Sequence, residues 1–156
     1  MLTVEIPGRE RLAASHLVLD LNGTLATDGQ ISPEITNRVR TLGSLLQVHI
    51  LTADTHGTAA TLKELGAEIV VVGPGDQVEA KAALIRGLGP HQTVAVGNGL
   101  IDEAMLREAV LSIVVVGREG AAVRSLLAAD LVVRSIEDAL DLFLLPKRLI
   151  ASLRTA

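Results

Sequence analysis

The chain has 156 residues, 49% of them apolar, with Phe143 as its single aromatic residue and no cysteine. That length suits one domain with a full core, built here from Leu, Val, Ile and Ala. The net charge of −4 and pI of about 5.5 argue against nucleic acid or an anionic membrane as partner; the lack of cysteine excludes disulfides, thiolate metal sites and Cys nucleophiles and is compatible with the cytoplasm.

The first ten residues carry Glu5 and Pro7 and no basic opening, which argues against a signal peptide. No apolar run reaches the ~18 residues that a membrane span needs. Within residues 1–14, Leu2–Ile6 is expected to form an edge strand or hairpin that ends at Pro7-Gly8. The first core strand is expected at Leu17–Leu21. Ser32 then caps, and Pro33 opens, a helix running to Leu46. A strand at Val48–Thr52, a helix at Thr58–Leu65 and a strand at Glu68–Val72 follow. Gly73-Pro74-Gly75 reads as a turn, because no Gly-Lys-Ser/Thr follows it. The pattern continues with a helix at Gln77–Leu88 and a strand at Thr93–Val96. After these come a helix at Ile101–Glu108 and a strand at Ser112–Val116. A helix at Ala121–Ala128, a strand at Leu131–Val133 and a helix at Ile136–Leu144 complete it. Gly66, Gly87 and Gly89 stand where helices should stop. Pro146 opens a basic tail, expected as a final short helix within residues 146–156. The strands are nearly continuous in Val, Ile and Leu, as in strands buried on both faces. The alternation implies an α/β fold: a three-layer, Rossmann-like, doubly wound parallel sheet in a single domain spanning residues 1–156.

In such a sheet all strand carboxyl ends lie on one edge, where ligands bind. Asp20 and Asn22 follow the first core strand, in Asp20-Leu-Asn-Gly-Thr24. Thr52, Ala53, Asp54 and Thr55 follow the second. Asn98 and Asp102 follow the fourth, in Gly97-Asn-Gly-Leu-Ile-Asp102. Lys81 lies in the helix before that strand. Gly23 lets the backbone turn sharply, and Thr24 and the turn amides are suited to an anion. A carboxylate nucleophile, a hydroxyl, a lysine and a few oxygen ligands for Mg²⁺ are the parts a phosphoryl-transfer site needs. His16, His49, His56 and His91 show no metal-ligand spacing and read as structural or surface residues, with His56 nearest the functional edge.

The Asp20-Leu-Asn-Gly-Thr24 segment resembles the first motif of the haloacid dehalogenase superfamily, Asp-x-Asp-Gly-Thr. Asp20, Thr52, Lys81 and Asp102 match the order and approximate spacing of its four motifs over about residues 17–133. Within that superfamily the pattern is similar to the soluble P-type ATPase-like phosphatases. The resemblance implies a Mg²⁺-dependent phosphatase with a capless core and an aspartyl-phosphate on Asp20. It assigns catalysis to Asp20, Asn22, Thr52 and Lys81, and phosphate binding to Gly23, Thr24, Thr52, Ala53 and Lys81. Asp20, the Asn22 carbonyl, Asn98 and Asp102 would hold the metal. Small phosphorylated substrates, no nucleic acid, no membrane and a homo-oligomer in the cytoplasm are the partners and setting it implies. The chain departs from the family at two positions. Asn22 stands where the phosphatases carry the Asp that protonates the leaving group and activates water. Asn98 stands where many members carry a metal-binding Asp. General acid–base catalysis contributes roughly 10²–10⁴-fold, so Asn22 predicts slow hydrolysis unless Asp54 or Asp28 substitutes. The other readings are a phosphate-binding or regulatory module without turnover, and a slow phosphotransfer switch.

Overall fold

The computed structural model describes residues 1–53 and 62–156. Its opening segment is a hairpin: β1 (Leu2–Val4) pairs antiparallel with β2 (Leu12–Ala14) as a separate two-stranded sheet. Of the two expectations for residues 1–14 the hairpin holds, and it does not extend the main sheet.

The main sheet contains β3 (His16–Asp20), β4 (Gln47–Thr52), β5 (Glu68–Val71), β6 (Thr93–Gly97), β7 (Leu111–Val115) and β8 (Leu131–Val133). All pairings are parallel and the order is β5-β4-β3-β6-β7-β8. From β3 the chain builds outward to β4 and β5, then returns to place β6 on the other side of β3. The order therefore reverses between β3 and β6, and the crevice at the carboxyl ends of those two strands is where open α/β sheets bind ligands.

Helices cover both faces, as the alternating strand periodicity requires. On one face Leu17 and Leu19 of β3 meet α1 (Pro33–Leu42), α5 (Ile136–Leu144) and α6 (Pro146–Leu153), with the hairpin residues Val4 and Leu12 joining the same cluster. On the other, Val18 of β3 packs with Ile85 of α2 (Gln77–Leu88) and Met105 of α3 (Glu103–Glu108), while α4 (Val123–Ala128) closes that layer through Leu126. The helices α2 and α5 run as the sequence predicts.

Several strand ends shift by a single residue, and the other helices differ more. The first helix stops at Leu42, because the Gly43 amide closes on Val39 and residues 43–46 turn; Leu46 stays buried and so prolongs the apolar pattern past the helix. The segment expected as a helix from Ile101 opens as a 3₁₀ turn, Leu100–Asp102, before α3. The helix expected from Ala121 begins at Val123. Gly87 lies inside α2, which ends instead at Gly89, where φ is 100°. The first half of the helix expected at Thr58–Leu65, together with Asp54, Thr55 and His56, lies outside the described residues.

Candidate active site

Asp20 is the last residue of β3. Beyond it the chain folds into a tight turn: the Leu25 amide donates to the Asp20 carbonyl at 3.2 Å, Ala26 to Leu21 at 2.8 Å, and Gly23 to Ala26 at 2.9 Å. Gly23 has φ 76°. A Cβ there would stand 2.7 Å from Asn98 Nδ2 and would collide with the Glu119 carboxylate. The left-handed backbone conformation favours glycine at this position.

The Lys81 ammonium sits between two carboxylates. It donates to Asp20 Oδ1 at 2.6 Å and to Asp102 Oδ1 at 2.6 Å, and Lys81 is only 2% exposed. Lys81 reaches this position because α2 follows β5 and so starts at the carboxyl edge. Asp102 is fully buried. Its other oxygen accepts the Asn98 and Gly99 amides, each at 3.0 Å. The 98–102 loop is thereby closed, and Gly97 is packed so tightly that a Cβ would meet Asp102 Oδ2 at 2.7 Å. The Thr24 hydroxyl lies 3.4 Å from Asp20 Oδ2 and donates to Asn98 Oδ1 at 3.1 Å.

Two buried carboxylates thus face one ammonium. Burial pushes the Asp20 carboxyl up to about 6, the Asp102 charge adds to that, and Lys81 opposes it. Burial pulls Lys81 down, but the two carboxylates outweigh burial and hold the ammonium above its ordinary value. At neutral pH Asp20 is ionised and Lys81 charged, and both line a cavity of about 540 Å³.

Asp20, Asn22, Lys81, Asn98 and Asp102 all line that cavity, and Ala53 joins them at the end of β4. Thr52 is buried beside it as the last residue of β4, its carbonyl accepting the Val72 amide at 2.8 Å. Gly23 and Thr24 line a neighbouring pocket of about 380 Å³. Asp28 is absent from the residues lining the cavity and adopts φ 52°. The oxygen donors around Asp20 are the chemistry that Mg²⁺ prefers. Among the described residues no group of three or more His, Cys, Asp or Glu side chains forms a metal cluster.

No family model matches the chain. An uncharacterized protein of Methanocaldococcus jannaschii is 49% identical over 61 residues, which is 39% of this chain and 66% of that protein. A second from the same organism is 46% identical over 39 residues, 25% of this chain and 89% of its own length. Among solved structures, a cobalt-bound deoxy-D-mannose-octulosonate 8-phosphate phosphatase from Haemophilus influenzae superposes with TM-score 0.73 at 18% identity, covering 92% of this chain and 95% of that one. A 3-deoxy-D-manno-octulosonate 8-phosphate phosphatase from Moraxella catarrhalis, solved with magnesium, phosphate and KDO, gives 0.71 at 19% identity, covering 90% and 94%. A haloacid dehalogenase superfamily hydrolase from Legionella pneumophila gives 0.70 at 18%, covering 89% and 86%. The fold is that of the haloacid dehalogenase superfamily.

Within this haloacid dehalogenase fold the described residues hold no cap domain: the β3–β4 connection contains a turn and α1 alone. The loop after β7 supplies what the sequence pattern did not reveal. Glu119 lines the cavity, and Ala121 and Ala122 line it beside Glu119. The signal was available, since residues 117–120 follow a strand whose carboxyl end faces the site. Gln77, at the start of α2, is a second cavity residue that no sequence motif marks.

Proposed function

We propose that this chain is a phosphohydrolase that works through an aspartyl-phosphate on Asp20, with Mg²⁺ as cofactor and a small phosphorylated molecule as substrate. The observation that carries the reading is the buried Asp20–Lys81–Asp102 chain at the switch point of the sheet. With a carboxyl value of about 6, Asp20 is an ionised nucleophile at neutral pH. Lys81 orients it and offsets the charge that gathers as an anionic phosphoryl group approaches. Positioning and charge neutralisation are most of what this loose transition state requires. In this reading the Thr52 hydroxyl, the Ala53 amide and Lys81 would hold phosphoryl oxygens, while Gly23 and Thr24 shape the turn that presents Asp20.

Asp20, the Asn22 carbonyl and Asn98 would hold the metal, with Asp102 acting by fixing the Asn98 loop. A bound divalent cation supplies positive charge to the phosphoryl oxygens. Supporting the reading, the structural neighbours include phosphatases solved with cobalt, or with magnesium and phosphate. No helix among the described residues is long and apolar enough to cross a membrane. Leu100, Ile101, Val123 and Leu127 are exposed apolar side chains, and they support assembly with a second copy.

Asn22 favours a second reading, a phosphate-binding module or slow switch, because an amide exchanges no proton near neutral pH. A Mg²⁺-dependent assay with p-nitrophenyl phosphate and a panel of phosphorylated metabolites separates the two. It is run on the chain, Asp20→Asn and Asn22→Asp, with intact mass to detect deamidation at Asn22-Gly23. Turnover is expected in the chain, with loss on the order of 10³-fold or more in Asp20→Asn. An increase is expected in Asn22→Asp, up to the roughly 10²–10⁴-fold that a general acid–base contributes. Turnover that survives Asp20→Asn contradicts the first reading. A chain that is silent beside an active Asn22→Asp favours the second.

A further inference from the structure

We propose that Glu119 is the proton acceptor that activates water against the Asp20 phosphoenzyme, a role that rests on the aspartyl-phosphate reading above. Asn22 leaves that role open to another carboxylate of the cavity. Three carboxylates line it among the described residues: Asp20, Asp102 and Glu119. Asp20 is the phosphoryl acceptor. Asp102 is fully buried and both its oxygens already accept, from Lys81 and from the Asn98 and Gly99 amides. Glu119 is exposed, so its carboxylate can pass a proton to bulk water.

The geometry places this carboxylate against the turn that carries Asn22. A Cβ on Gly23 would collide with the Glu119 oxygen, so Glu119 lies against the residue that follows Asn22. The carrier is a tight turn in which the Gly120 amide donates to the Gly117 carbonyl at 3.0 Å, with φ 74° at Gly120. The turn presents Glu119 to the cavity and Arg118 to the neighbouring pocket.

In the hydrolytic step a water oxygen bonds to phosphorus as the bond between phosphorus and the Asp20 oxygen breaks. The electron pair of that bond returns to Asp20 as its carboxylate. The proton leaving the water is taken by Glu119, inorganic phosphate departs, and Glu119 releases its proton to solvent.

The test is phosphoenzyme decay. The chain, Glu119→Gln, Glu119→Asp and the loop control Arg118→Gln are phosphorylated with acetyl phosphate and Mg²⁺, the donor is removed, and acid-quenched samples are followed by intact mass. Glu119→Gln is expected to form the adduct but lose it roughly 10²–10⁴-fold more slowly, with Glu119→Asp intermediate and Arg118→Gln close to the unmodified chain. Equal decay in the chain and Glu119→Gln overturns the role of Glu119 and leaves the aspartyl-phosphate intact. The role of Glu119 is equally overturned if Glu119→Gln forms no adduct, if Arg118→Gln slows decay as much, or if the unmodified adduct itself persists. Absence of any adduct in the unmodified chain overturns the underlying reading as well.

Discussion

The two ends of β3 each hold a chain of titratable side chains, and the two chains differ in make-up and in burial. At the carboxyl end Asp20, Lys81 and Asp102 are joined by two 2.6 Å charge-assisted hydrogen bonds. At the amino end His16 Nδ1 lies 3.1 Å from His49 Nε2, and His49 Nδ1 lies 2.8 Å from a Glu68 oxygen without hydrogen-bond alignment. The first chain carries a fixed cation between two anions, backbone amides on its outer oxygen, and an open cavity of about 540 Å³ above it. The second contains neutral-capable imidazoles, an exposed glutamate and a pocket of about 230 Å³. Burial alone therefore does not mark the functional end. What marks it is a pair of carboxyl groups held around one ammonium where the strand order reverses.

The largest effect that sharpens this contrast comes from Lys81→Met. Removing the shared ammonium leaves two facing buried carboxylates, and losing one partner of a buried ion pair costs about 3–5 kcal/mol. Urea unfolding should show that loss, whereas His16→Gln at the other end should change stability by under about 1 kcal/mol. Equal losses would remove the distinction between the two ends.

A smaller effect is expected from Asp20→Asn without metal. The folded carboxyl value of about 6 lies above the ordinary 3.8. The unmodified chain therefore keeps full stability below pH 3.8 from this group and loses it as pH rises through 6. Asp20→Asn should be the more stable protein at pH 8 in EDTA, by on the order of 1–3 kcal/mol. The advantage should vanish toward pH 4. A destabilised Asp20→Asn at pH 8 would show that Lys81 more than compensates Asp20.

The smallest effect belongs to the histidine end. Burial first, and the neighbouring His49 second, hold His16 below its ordinary 6.5. The unfolded chain then binds the proton more readily, so stability is full above pH 6.5 and declines as pH falls below it. His16→Gln should flatten that part of the thermal stability profile; an unchanged slope would contradict the assignment.

Much of this architecture is written locally. The α2 and α5 spans follow from apolar periodicity with Asp76 and Ser135 as caps, whose side chains accept the Glu79 and Asp138 amides. The Asp20, Asn98 and Asp102 positions follow from strand ends. Other features depend on tertiary structure. The hairpin strand Leu12–Ala14 is three residues long, too short for a period, and it is defined by its partner and by packing in the common core. Lys81 stands out in the sequence through the family resemblance rather than through any local pattern, and the placement of α2 against β3 and β6 turns it inward. Glu119 follows the carboxyl end of β7, which the sequence could have flagged, but its position against Gly23 depends on tertiary structure.

The most direct test of the central claim is the site of phosphorylation. The chain would be incubated with acetyl phosphate and Mg²⁺, acid-quenched, digested and mapped by mass spectrometry. A phosphoryl group on the peptide that contains Asp20, lost in Asp20→Asn and dependent on Mg²⁺, is the predicted result. No adduct under these conditions, or one that survives Asp20→Asn, would contradict the account.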